Sequence, residues 1–242
     1  MIVYILIIAH LLADFTFQST RLAKNKAKQF KYLVMHSLIY AIVLAMPMFL
    51  FVGLKKGIFP YLCIVVSHFF IDTIRQWIEK KVLGKGFQFF LFIFDQILHI
   101  LIIIFVTHLL KLDMKTNAIF AYWQTWIYFE VLILYALTFT IIWEPTAVFI
   151  KKLFMYILDG HGGKEEEEDP KIGRMIGKLE RLIISILILC NQIGAIGFVL
   201  TAKSIARYKQ LEDKAFAEKY LVGTLASTVI SFVVAMFLKS II

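Results

Sequence analysis

The sequence predicts an all-α fold: a polytopic membrane helix bundle of about seven transmembrane helices. Three observations predict it. Of the 242 residues, 60% are hydrophobic, against roughly 45–50% in soluble domains. The mean hydropathy is +0.80. The apolar residues gather in continuous runs of about twenty, enough to cross a hydrocarbon core ~30 Å thick. They show none of the alternation of a barrel strand, which leaves helices as the spanning element.

The first span is expected from about Ile2 to Gln18, and a basic loop with Arg21, Lys24, Lys26, Lys28 and Lys31 follows. The His and Asp inside that first run, and the lack of a basic leader and small-residue cleavage site, argue against a signal peptide. The second span is about Tyr32 to Leu54, with Pro47 as a candidate kink. A turn at Lys55-Lys56-Gly57 leads to the third, about Ile58 to Ile78, and the fourth is about Phe87 to Leu110. The run from Ile119 to Leu158 exceeds one crossing. Trp123, Trp126 and Tyr128 form an interfacial aromatic belt, and Glu144-Pro145 divides a crossing from a shorter interfacial helix.

Residues Asp159 to Gly173, DGHGGKEEEEDPKIG, form the one clearly polar stretch. Like charges at Glu165–Glu168 repel, so a solvated loop is expected, with Asp169-Pro170 opening the next helix. The sixth span is about Leu182 to Leu200 and the seventh about Tyr220 to Leu238, joined by a basic amphipathic connector. The organisation is thus a four-helix membrane half over 1–112, a fifth span plus interfacial helix over 113–158, an acidic loop over 159–173, and C-terminal helices over 174–242. Gly223 and Ser227, four apart, read as a packing seam, and Gly194 and Gly197 as points of close approach.

The net charge is +9. Most of it lies in short loops, where it sets orientation. No basic face with a groove-reading module accompanies it, so nucleic acid is not an expected partner. With the first loop inside, fifteen Lys and Arg fall inside and nine outside. That places the N-terminus outside. Five of the nine, Lys203, Arg207, Lys209, Lys214 and Lys219, fit poorly on the outside. Either they serve an anion, or the crossings near Glu144 number differently. Cys63 and Cys190 lie in apolar runs and form no metal motif.

Four spans carry groups that hydrocarbon normally excludes: His10, Asp14 and Gln18; His36; His68 and Asp72; Asp95, Gln96 and His99. His10/Asp14, His68/Asp72 and Asp95/His99 are each four apart, so each pair shares one helix face. The order reverses to Asp-then-His in the span that runs the opposite way. This places three His in one layer and three Asp in another, ~6 Å nearer the cytoplasm. His36 enters near the Asp layer. Imidazole and carboxylate together suit zinc, manganese or iron, and a divalent cation removes the cost of burying unpaired carboxylates. Six or seven ligands exceed one tetrahedral zinc. The expectation is therefore two ions, or one ion with some Asp orienting His. Two other readings remain: His–Asp pairs that only join helices, and a proton or ion path. His108 and His161 are isolated and read as interfacial or solvated. In the C-terminal half, Lys203 and Arg207 share a face. They read as a phosphate or headgroup clamp or as snorkelling cations.

The stretches HLLADFTFQ (His10 to Gln18), HFFID (His68 to Asp72) and FDQILH (Phe94 to His99) resemble motifs of the bacterial membrane proteins known as domain of unknown function 3307. GKLERLI (Gly177 to Ile183), IGFVLTAKSIAR (Ile196 to Arg207) and FAEKYLVGTLAS (Phe216 to Ser227) resemble its C-terminal half. That family implies no established activity. More loosely, the first half is similar to membrane-bound metal-dependent hydrolases with HxxxD pairs in helices. The leading expectation is metal-dependent hydrolysis of a lipid or lipid-linked phosphoester at the cytoplasmic leaflet, by a water whose pKa the metal lowers towards ~7. His10, Asp14, His68, Asp72, Asp95 and His99 are the expected ligands. His36 is the expected general acid or base, and Gln18, Arg21, Lys203 and Arg207 the expected headgroup contacts. The rivals are a metal-ion or proton carrier using the same cluster, and a non-catalytic membrane sensor that engages a protein through Glu165–Glu168.

Overall fold

The computed structural model describes residues 1–26, 29–81, 84–157 and 171–242. Helices build all of the regular structure among them: α1 (Ile2–Leu11), α2 (Thr20–Lys26), α3 (Phe30–Phe51), α4 (Leu54–Lys81), α5 (Lys85–Leu109), α6 (Ala118–Gln124), α7 (Phe129–Ile157), α8 (Lys171–Leu189), α9 (Ala195–Ala206) and α10 (Lys214–Ile241). Five of them, α3, α4, α5, α7 and α10, are long and apolar enough to cross a membrane. Ile2–Thr16 and Ala195–Ala206 are shorter apolar helices. The chain divides into two compact units, Met1–Leu137 and Thr138–Ile242.

In the first unit α1, α3, α4 and α5 form a closed ring, each packed on two neighbours. Their inward faces repeat at helical spacing and change character along their length. On α1 the buried face reads Ile2, Leu6, His10; on α3 it reads His36, Tyr40, Leu44, Met48. On α4 it reads Pro60, Ile64, His68, Asp72, Gln76. On α5, Asp95 and His99 give way to Ile103 and Val106. One half of the interior is therefore a hydrocarbon core, closed by Leu112, Phe120 and Phe129. The other half is polar. The outward faces are apolar, including Leu38, Ile42 and Met46 of α3 and Val66, Phe70 and Ile74 of α4, all exposed. Polar groups inside and apolar groups outside make the arrangement of a chain whose solvent is lipid.

Contacts at the two ends fix the direction of the ring. The Met1 amino group meets Asp113 at 3.1 Å, and Asn117 Nδ2 donates to the Leu50 carbonyl. At the other end Gln76 donates to the Lys26 carbonyl.

Several expected boundaries move. The second turn centres on Gly53, at φ +83°, and Lys55–Gly57 already belong to α4. Glu144-Pro145 does not end a helix: α7 runs unbroken to Ile157, so the expected division of 113–158 fails. Pro145 removes the N–H that would serve the Ile141 carbonyl, and Thr146 Oγ1 donates to it instead at 2.8 Å. The extra helix of that segment is α6, before the span rather than after it. The sixth span is not continuous either. α8 stops at Leu189, where Asn191 takes φ +61°. The N–H groups of Asn191 and Gln192 then close on the carbonyls of Ile188 and Leu187, a left-handed helix stop that asparagine tolerates.

In the second unit α8 packs on α9 and α10 around Ile184, Ile188, Ile196 and Ala235. A Cβ at Gly223 would come 2.9 Å from the Phe154 ring, so the small residue there permits a close approach. Gly194 and Gly197 face open space, contrary to expectation. Trp123, Trp126 and Tyr128 are exposed, as is His108. His161, Glu165–Glu168 and Asp169-Pro170 lie outside the described residues.

Candidate metal centre

The polar half of the ring gathers seven side chains from four helices. His10, Asp14, His36, His68, Asp72, Asp95 and His99 are all buried, none more than 8% exposed. Asp14 sits in a wide π turn, Leu12–Thr16, where the Phe17 N–H reaches back to the Leu12 carbonyl at 2.8 Å. Such turns add a residue to a helix and re-aim the side chains that follow.

The three His converge: ring centroids of His10 and His68, His10 and His99, and His68 and His99 are 5.8, 5.3 and 4.3 Å apart. The carboxylates lie among and beyond them. Asp14 Oδ1 is 3.0 Å from His68 Nε2 and 3.4 Å from His36 Nε2, and the same His36 nitrogen is 3.2 Å from Asp72 Oδ2. His36 thus bridges two carboxylates. Gln96 Nε2 donates to Asp14 at 3.3 Å and to Asp95 at 3.0 Å. Three overlapping triads have ligand atoms within 4.8 Å of one another: His10–Asp14–His68, His36–His68–Asp72 and Asp72–Asp95–His99.

Ring orientation adds chemical information. His99 Nδ1 lies 2.7 Å from the Asp95 backbone carbonyl. A carbonyl only accepts, so Nδ1 carries the proton and a neutral ring presents its lone pair at Nε2. That Nε2 is buried and has no hydrogen-bond partner. His10 is fully buried and neither of its ring nitrogens makes a hydrogen bond. A His whose far nitrogen is held by a carbonyl while the near one faces other donors is the usual posture of a metal ligand.

Sequence reasoning missed several members of the site. Lys26 Nζ is 2.5 Å from Asp72 Oδ2, and Arg75 Nη1 donates to Asp95 Oδ2 at 2.7 Å while its other nitrogens hold Glu79. The carboxylates therefore do not lack cations, as the argument from burial alone supposed. Asp14, Asp72, Asp95 and Glu79 still outnumber Lys26 and Arg75 by two charges among the described side chains when the imidazoles are neutral. One divalent cation carries that charge. Tyr40 stacks on His68 with centroids 3.6 Å apart. Tyr40 and Gln76 were legible: each is four residues past a site residue, His36 and Asp72. Arg75 is three past Asp72, on the same face. Lys26 carried no such signal, because it sits on a separate short helix.

None of the expected headgroup residues belongs to the three triads. Gln18 is half-buried and Arg21 exposed, just after the π turn. Lys203 is paired with Glu180 at 2.5 Å and donates to Thr224 at 3.0 Å, so it is not a free cation. Arg207 is half-buried at the end of α9.

The model of a family described as protein of unknown function (DUF3307) matches residues 2–129. The chain belongs to that family. The DUF3307 match spans all four helices of the ring and every residue of the cluster, and it ends at the start of α7. The C-terminal stretches that resembled the family lie beyond it. No curated protein matches the chain, and no solved structure does.

Proposed function

We propose that this DUF3307 protein binds a divalent transition metal, zinc or manganese, as one ion or two, in the His/Asp cluster. On that basis we read it as a membrane-embedded hydrolase of a lipid or lipid-linked phosphoester. The carrying observation is His99: its proton is held on Nδ1 by the Asp95 carbonyl, and its Nε2 lone pair is buried without a partner among imidazoles and carboxylates. The mixed N/O donor set suits zinc or manganese. His10, Asp14, His68, Asp72, Asp95 and His99 would hold the ion. A bound divalent ion supplies Lewis acidity and lowers the pKa of water.

The chain's own groups complete the reading. His36 Nε2 lies between Asp14 and Asp72, where an imidazole can take a proton and pass it on. Lys26 and Arg75 approach from the end of the ring that would face the cytoplasm if the basic loops lie inside. Cations there suit phosphate oxygens, and Gln18 and Arg21 border the same end. This supports action at the cytoplasmic leaflet of a bacterial inner membrane.

The experiment is phosphate release from lipid phosphomonoesters and polyprenyl diphosphates by the protein in nanodiscs, with zinc or manganese supplied. Metal-dependent release, lost in His99→Ala, is the expected result. A second reading, a metal-ion or proton carrier, is favoured by one observation. Successive triads share one member, His68 between the first two and Asp72 between the last two, as a hopping path would require. Metal binding without turnover, together with ion flux across proteoliposomes, would replace the hydrolase reading with the carrier.

A further inference from the structure

In α8, Arg174, Lys178, Arg181 and Ser185 are spaced four, three and four apart, on one helix face. The face leads inward. The Arg174 side chain is 37% exposed, that of Lys178 is 9%, and Arg181 is 3% exposed. One carboxylate, Glu144 of α7, serves the outer two. Arg174 Nη2 donates to its Oε2 at 2.6 Å, and Lys178 donates to its Oε1. Glu180 is taken by Lys203.

Arg181 has no carboxylate within ion-pair distance among the described residues. Its Nε and Nη2 donate to the Ile142 and Trp143 carbonyls at 2.6 and 3.1 Å, and its Nη1 reaches Ser227 only at 3.4 Å. Carbonyls solvate a guanidinium but do not cancel its charge. A guanidinium has five N–H donors; the two carbonyls and Ser227 take three. On the Nη1 side stands Gly177, where a Cβ would lie 3.5 Å from that nitrogen, in ordinary contact. Nearby Ser185 Oγ is buried without a partner.

Among the described residues, Arg174, Lys178 and Arg181 against Glu144 leave two positive charges over, one of them deeply buried. A buried charge without a counter-charge is costly. We infer that the second unit binds a phosphate, free or carried on a lipid headgroup, between Arg181 and Lys178, entering past Arg174. A phosphate dianion matches the surplus charge, and its oxygens match the unused guanidinium donors. This site shares no residue with the metal centre and stands whether or not a metal binds there.

The test is thermal unfolding of the full chain, in detergent with inorganic phosphate, and in phosphatidylcholine nanodiscs with and without phosphatidic acid, whose phosphomonoester can carry two charges. A rise with phosphate in detergent identifies a free-phosphate site. A rise with phosphatidic acid alone identifies a headgroup site. Either supports the proposal. Glu144→Gln adds to the surplus and should tighten binding roughly tenfold, Arg174→Gln should weaken it, and Arg181→Met should abolish it. A purely structural Arg181 would lower stability without any anion dependence. If neither probe shifts the wild type, or if Glu144→Gln weakens binding, the proposal is wrong. The Glu144 and Arg174 variants keep the test decisive should Arg181→Met not fold.

Discussion

Lys26 Nζ lies 2.5 Å from Asp72 Oδ2, so a cation from the short α2 helix neutralises a carboxylate buried between α3 and α4. A metal held by Asp72 would meet that ammonium as a like charge. Lys26 and the metal therefore compete. Lys26→Met should lower the melting temperature of the metal-free protein and tighten metal binding by about tenfold, or ~1.4 kcal/mol. Calorimetric titration of both proteins checks this. Weaker metal binding in the variant would mean that Lys26 helps to build the site.

Arg75 is the partner of Asp95, at 2.7 Å, and also holds Glu79. Removing one member of a buried pair leaves the other charge uncompensated, at a cost of about 3–5 kcal/mol. Arg75→Met should therefore be strongly destabilising, and the Arg75→Met/Asp95→Asn double variant should recover part of the loss. Chemical unfolding in a fixed detergent measures both. Equal stability of the single and double variants would show that the pair is not coupled.

His36 Nε2 lies between Asp14 and Asp72, a position that suits proton transfer. His36→Gln should keep most of the bound metal while lowering kcat by about 10²–10⁴. Parallel metal analysis and turnover measurement separate the two effects. Loss of metal with His36→Gln would make it a ligand.

The four-helix ring and its polar interior were legible because a single rule, residues four apart on one helix face, governs them. His10/Asp14, His68/Asp72 and Asp95/His99 followed directly; the expected separation into a His layer and an Asp layer did not, since Asp14 lies against His68 and His36. The rule stopped short at Tyr40 and Gln76 only because it was not carried one turn further. Two kinds of feature escaped it. Lys26 and Arg75 read as loop cations in the sequence, whereas in three dimensions they turn back onto carboxylates. In the second half, taking Glu144-Pro145 as a break misjudged Pro145, because Thr146 satisfies the Ile141 carbonyl that the proline leaves free. Hydropathy alone misjudged Asn191, whose left-handed backbone ends α8 inside an apolar run.

The expected orientation rests on the basic loops, and position 166 lies outside the described residues. Position 26 and position 166 should react from the cytoplasmic side, and positions 56 and 115 from the outside, in single-cysteine variants treated with an impermeant thiol reagent. Labelling of position 26 from outside would invert the protein and move the metal centre to the other leaflet.

The central claim is the metal, and elemental analysis of gently purified full-length protein, without chelators, tests it most directly. The account predicts about one or two equivalents of zinc or manganese per chain, roughly the capacity of six or seven His and Asp donors. That metal should be lost when His68 and Asp72 are both replaced by alanine. Finding no metal in the wild type, and no binding when zinc and manganese are titrated in, would contradict it and leave the buried His–Asp contacts as helix-joining hydrogen bonds.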